Sequence, residues 1–321
     1  MVKGRDMIAI SENYEAFRTF ITIEKNEIFR VNLNGKYSGY VVPLDAAISI
    51  PDDFRIPNIQ LSCENLTLDD GPTLDYLHIE PGAEADLDIF EAFVSSFFGE
   101  LRRAASRNSL VTILMEEFEK WRLFFGAGSL KGSNLGRYIG IFGELYFLRD
   151  AVSVLGPSAV SNWWGPFKNR NDFEFDQYVI EVKSTVNLIS SSVTVNGINQ
   201  FQDDYNRRTY LILMKFLPSD EGFTIEEIRD EILSQGVLRS ELENRINRLG
   251  NIEDILIESR GLKLKFIGGQ IYRISEDFPL VKASMLPIEV VSRMSALNYT
   301  MALEGLTFNT YSGASDWDFN Q

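Results

Sequence analysis

The apolar positions of this chain change period several times, and each change marks an element. Between Gly136 and Gly156, Ile141, Leu145, Leu148 and Val152 recur at helical spacing, and Gly156-Pro157 closes the run as a helix stop. The β-branched run YVIEVKSTV, starting at Tyr178, reads as a strand, and TYLILMKFL, starting at Thr209, as a buried one. Upstream, EIFRVNL and YSGYVVPL suggest short strands, and Leu87 to Phe98 and Leu110 to Phe125 suggest helices. Asp52–Asp53, Asp69 to Pro72 and Glu80 to Gly82 read as turns. Downstream, TIEEIRDEILSQG is an amphipathic helix, a second helix is expected near Ser240 to Leu249, and a hairpin is expected to turn at Gly268–Gly269. The tail YSGASDWDFNQ is polar and acidic and is expected to be loose.

These elements divide the chain into three regions. Residues 1–125 form an N-terminal α+β binding or assembly domain, 126–218 a core, and 219–321 a C-terminal helical extension packed on that core with a short acidic tail. The glycine-rich stretch GAGSLKGS lacks the Gly-Lys-Ser/Thr order of a phosphate loop and reads as a linker into the core.

The chemistry concentrates in NDFEFDQYVIEVK, Asn171 to Lys183. A strand carries residues i and i+2 on one face, so Glu181 and Lys183 project together while Val182 packs behind them. A bare Glu-x-Lys also suits a solvent-facing strand. This one is the only such triplet in the chain and sits in an apolar run, where charge needs compensation that a bound cation supplies. Asp172 stands just before a turn at Asp176–Gln177 and brings a second carboxylate. Two carboxylates and an ammonium suit a divalent-metal site for phosphodiester cleavage. On the upstream helix Gly136, Gly140 and Glu144 share a stripe nearly bare of side chains. Glycine costs about 1 kcal/mol relative to Ala there, so close approach to a sheet or to a sugar-phosphate backbone is expected. Glu144 itself could equally be solvated. Arg137, on about the same face, could meet a phosphate.

The order of a Gly-Glu helix, Trp-Trp-Gly-Pro, Asn-Asp-Phe-x-Phe and Ile-Glu-Val-Lys-Ser-Thr resembles the PD-(D/E)XK nuclease superfamily. More narrowly, it resembles an uncharacterised bacterial family found beside restriction and phage-defence genes. The resemblance covers Leu135 to Phe216 best and, more loosely, the C-terminal third, where DFPLVKASMLP recurs. It implies an α/β (α+β) fold with a restriction-endonuclease-like core, a mixed sheet flanked by helices. It makes Asp172, Glu181, the Val182 carbonyl and Glu144 the ligands of Mg²⁺, with Mn²⁺ able to substitute. Lys183 becomes the group that orients or deprotonates the attacking water, and Gln200 a glutamine at the edge of the site. Position 171 is Asn where the motif has Pro, and the spacing from Asp172 to Glu181 is short. The activity implied is that of an endonuclease on DNA in a restriction or phage-defence system, with protein partners in a defence complex and a homodimer as a further assembly. An RNA-directed nuclease, or a non-catalytic docking subunit on the same scaffold, is the alternative.

Composition bounds these expectations. The net charge of −15 opposes nucleic-acid binding, but Gly126 to Phe216 holds nine Lys/Arg against eight Asp/Glu, so the flanks carry the excess. Lys131, Arg137, Lys168, Arg170, Arg207 and Arg208 could form a local phosphate track. One cysteine, Cys63, fits a reducing cytoplasm, and no segment reads as a leader or a membrane span. The single histidine, His78, excludes most zinc and His-triad chemistry and is expected to pack at a strand edge. Trp163–Trp164 beside Gly165–Pro166 could stack on bases or plug the end of a sheet. Glu174 shares the strand face of Asp172 and is expected to be solvated.

Overall fold

A computed structural model describes residues 7–11, 14–23, 26–33, 36–44, 59–67, 72–83, 85, 87–103, 110–126, 132–167, 169–188, 191–197, 201, 207–250, 252–258, 261–294 and 297–313. The chain divides into two compact units, Met1–Gly128 and Ser129–Gln321. In the first, β1 (Met7–Ser11), β2 (Tyr14–Ile23), β3 (Asn26–Leu33), β4 (Lys36–Pro43), β5 (Ile59–Thr67) and β6 (Thr73–Pro81) form an antiparallel sheet in the order β1-β2-β3-β4-β6-β5. Helices α1 (Leu87–Arg103) and α2 (Leu110–Gly126) follow. His78 is buried on β6, its ring nitrogens facing Glu64 Oε1 at 2.9 Å and the Ser38 carbonyl at 2.6 Å. The sequence placed it on a strand edge; hydrogen bonding makes its burial tolerable.

The second unit opens with α3 (Gly132–Leu155), which ends where Gly156 takes φ 86. A short two-residue strand, β7 (Phe173–Glu174), then pairs antiparallel with β8 (Tyr178–Thr185). After β9 (Ser192–Asn196) comes β10 (Arg208–Phe223), which pairs parallel to β8. Helices α4 (Ile225–Ser234), α5 (Arg239–Ile246) and α6 (Ile252–Glu258) lead into β11 (Leu264–Ile274), antiparallel to β10. The chain continues through α7 (Ile288–Val291), β12 (Asn298–Ala302) and β13 (Asn309–Tyr311). The main sheet has the order β13-β11-β10-β8-β7, and β9 pairs with β12 in a small separate sheet. The protein is therefore α+β, with a mixed sheet and flanking helices as in a restriction-endonuclease-like fold.

Residue period explains the layers. On β10, Phe216 faces α3, its ring 5.0 Å from that of Phe142 at 84°. The alternate residues Leu211 and Leu213 join Val193, Val195, Tyr272 and Met301 in a core on the other face. Thr224 caps α4 by a reciprocal capping box with Glu227. Gly143 lets α3 approach β8: a Cβ there would lie 1.7 Å from Ser184 Oγ.

One turn and one helix–sheet contact differ from expectation. Gly268–Gly269 is not a turn, because β11 runs unbroken through it. Lys215 pairs with Gly268 but Phe216 with Phe266, so Ile267 is the extra residue of a β-bulge. A Cβ on Gly269 would lie 3.1 Å from the Tyr311 side chain and 3.2 Å from the Leu213 carbonyl, so close approach explains that glycine. On α3, a Cβ on Gly136 or Gly140 would meet nothing within 4 Å among the described residues. The glycine that needs the sheet is Gly143.

Candidate active site

The site begins with a gap in hydrogen bonding. Because β7 pairs only Phe173 with Ile180 and Glu174 with Val179, the edge of β8 lacks a ladder partner beyond Ile180 among the described residues. Asp172 fills it: its Oδ2 accepts from the Val182 amide at 2.9 Å. The same residue is held from outside, its carbonyl accepting from the amides of Trp164 at 2.7 Å and Gly165 at 3.0 Å. Asp172 is thus clamped between the strand edge and the tryptophan loop.

Glu181 and Lys183 share a face of β8, as their spacing requires. Glu181 is 3% exposed, and Lys183 Nζ lies 2.7 Å from its Oε1, so the ammonium compensates the buried carboxylate. Glu144 arrives from α3 and accepts a hydrogen bond from Trp163 Nε1 at 2.7 Å. It is not a solvated helix acid. Burial first, then repulsion by Glu181 and Glu144, holds the Asp172 carboxyl well above its ordinary range, opposed by Lys183 and the Val182 amide. Burial also pushes Glu144 up to about 7, with Trp163 and Lys183 opposing and Glu181 adding to the rise. Burial lowers Lys183, but Glu181, Asp172 and Glu144 outweigh it and raise the ammonium above its usual value. Asp172, Glu181, Lys183 and Glu144 are therefore one electrostatic cluster.

Three features of this cluster escaped the sequence reading. Trp163 is fully buried and serves as a hydrogen-bond donor to Glu144. Gly165 closes over the carboxylates: a Cβ there would lie 2.2 Å from Glu144 Oε2 and 3.2 Å from Asp172 Oδ1. Asn171, where the motif has Pro, is buried, and its Oδ1 has no hydrogen-bond partner among the described residues. The Trp-Trp-Gly-Pro string was the available signal for the first two.

The basic residues fare differently. Arg137 does not face outward as an unengaged phosphate ligand, since its guanidinium donates to the carbonyls of Leu249 and Gly250. Arg207 pairs with Glu174 at 3.0 Å, so Glu174 is engaged rather than merely solvated. Arg170 is half-buried and Arg208 exposed at the start of β10. Gln200, Lys131 and Lys168 lie outside the described residues.

A model of the family described as "Putative PD-(D/E)XK family member, (DUF4420)" matches residues 11–304. The chain belongs to this family. No curated protein and no solved structure matches it. The family match runs through both compact units, so residues of the N-terminal sheet as well as Asp172, Glu181 and Lys183 fall within it. No described helix is long and apolar enough to cross a membrane.

The donor set fits the divalent cation that this family's motif implies. Its carboxylates offer only oxygen, and their mutual repulsion is relieved by added positive charge. Among the described residues no three acidic, His or Cys side chains already converge on one point. A divalent cation that keeps several of its waters needs fewer, one or two carboxylates.

Proposed function

We propose that the chain is a Mg²⁺-dependent endonuclease that hydrolyses phosphodiester bonds in DNA, as the cleavage component of a restriction or phage-defence system. One observation carries the chemistry: Glu181 and Asp172 lie in one electrostatic field with Lys183 and Glu144, at the open edge of β8. The resemblance to families beside defence genes supports the setting, and the acidic flanks favour delivery of DNA by a protein partner.

Asp172, Glu181 and the Val182 carbonyl would hold the cation, with Glu144 beside them. The bound cation supplies Lewis acidity and neutralises charge gathering on the phosphate. Lys183, kept protonated by its three carboxylate neighbours, donates hydrogen bonds rather than accepting a proton, so it orients the attacking water and the phosphate oxygen. Water adds to phosphorus as the bond to the leaving sugar oxygen breaks; the attacking water gives its proton to a carboxylate or to solvent, and the sugar oxygen takes one from solvent. Glu144, held by Trp163 Nε1 at 2.7 Å, is a further carboxylate in the same field as Asp172 and Glu181. Trp163 and Gly165 fix where Glu144 can go.

The test is cleavage of supercoiled plasmid and of RNA with Mg²⁺ or Mn²⁺. Glu181→Gln and Lys183→Ala should each lower the rate by at least about a hundredfold with unchanged circular dichroism. Full activity in both variants contradicts the reading, and cleavage confined to RNA reassigns the substrate.

A further inference from the structure

The tandem tryptophans divide their work. Trp163 is buried against Glu144, but Trp164, next in the chain, is 38% exposed. Phe167 is equally exposed at 38%, and the two rings lie 5.4 Å apart with 55° between their planes. Two neighbouring aromatics partly open to solvent around the short helical turn Gly165–Phe167 forgo burial that full packing would have gained. Their position is fixed. The Phe167 amide donates to the Trp164 carbonyl at 2.9 Å, and the Trp164 amide donates to the Asp172 carbonyl at 2.7 Å. From α5 and the turn after it, Arg245 and Arg248 place their guanidinium carbons 5.2 and 4.5 Å from the Phe167 ring centre. Arg245 also donates to the carbonyls of Trp163 and Ser161 and so holds the loop in place. Arg248 is exposed, and among the described residues no carboxylate pairs with it.

From this arrangement we infer that Trp164 and Phe167 are a stacking platform for an unpaired nucleotide base next to the scissile phosphate, with Arg248 on a neighbouring phosphate. The inference rests on the nuclease reading and adds to it a substrate form: a single strand, or a strand whose base has left the duplex. Three properties meet here and nowhere else among the described residues. The Trp164 ring, 38% exposed, can take any base, because every base has a π-face, and the Phe167 ring beside it already carries Arg245 and Arg248. An unpaired guanidinium beside them supplies charge complementary to the sugar-phosphate chain. The platform's backbone is hydrogen-bonded directly to Asp172 and lies one Cα step, about 3.8 Å, from Gly165, where a Cβ would lie 2.2 Å from Glu144 Oε2 and 3.2 Å from Asp172 Oδ1. A base on Trp164 would thus rest on the segment whose backbone holds Asp172. A protein groove-filler would satisfy the rings but not the free charge or their place at the cluster.

The experiment uses the full chain carrying Glu181→Gln, so that substrate survives. A short oligothymidylate, and the same strand annealed to its complement, are titrated in Mg²⁺ while tryptophan fluorescence and anisotropy are read. The single strand should quench the fluorescence and bind more tightly than the duplex. Adding Trp164→Ala should remove most of the quenching and raise Kd about tenfold or more, whereas Trp164→Phe should recover most of the affinity. Arg248→Ala should lower the slope of log Kd against log salt by about one. If Trp164→Ala binds and quenches like its parent while the wild type cleaves DNA, the platform is wrong and the nuclease reading stands. If the wild type neither binds nor cleaves nucleic acid, both fall together.

Discussion

Glu144 is the residue on which the electrostatics of the cluster turn. Its carboxyl moves from about 4.5 to about 7 on folding. Between those values the folded chain holds a proton that the unfolded chain has released, so stability falls as pH rises through this window. Asp172 shifts in the same direction. Without added metal, the protein should melt at a higher temperature near pH 5 than near pH 8. Glu144→Gln, which can still accept from Trp163, should remove on the order of 2 kcal/mol of that difference. Equal slopes for wild type and variant, measured by scanning calorimetry across this range, would refute the assignment. Gly165 gives a second test. A methyl there meets the movable tip of Glu144 rather than backbone, so Gly165→Ala should cost less than about 1 kcal/mol of stability. It should nevertheless lower cleavage about tenfold or more, because it displaces Glu144 and crowds Asp172. Normal cleavage by this variant would show that the loop does not set the carboxylates.

At the scale of elements, the site depends on how closely α3 lies on β8. Gly143→Ala should destabilise the fold by about 1–3 kcal/mol, since its Cβ would overlap Ser184 Oγ at 1.7 Å and approach Ser184 Cβ at 2.8 Å. Gly140→Ala, with nothing within 4 Å among the described residues, should instead raise stability by up to about 1 kcal/mol. Urea melts of the two variants measure this, and effects of the same sign would overturn the packing described. This helix and strand were legible from sequence because their signals are local: apolar residues at helical spacing, and one charged pair in a β-branched run. The glycines were not. A sequence shows that Gly268 and Gly269 are permissive, but a turn and a bulge use the same freedom, and only the pairing with β10 separates them. Likewise Gly136, Gly140 and Gly143 look alike until Ser184 is placed under one of them.

For the whole molecule, individual strands and helices were legible from their periods, while the α+β class came from the resemblance carried by the motifs, and the proposed carboxylates and lysine from one dense segment. What composition could not give was which charges are already spent. Arg137 is bound by carbonyls more than a hundred residues later in the chain, and Arg207 by Glu174. Trp163 reaches Glu144 only through the fold. The cationic surface left for nucleic acid is accordingly smaller than the count of basic residues suggests, which strengthens the case for a partner that supplies affinity. The central claim, that Asp172 and its neighbours bind a divalent cation, has a direct test in calorimetric titration of Mn²⁺ into the full chain and into Asp172→Ala. The account predicts saturable binding by the wild type, with release of protons at pH 7 as Glu144 and Asp172 ionise, and loss of both signals in the variant. No binding by the wild type, or equal binding by the two, would contradict it.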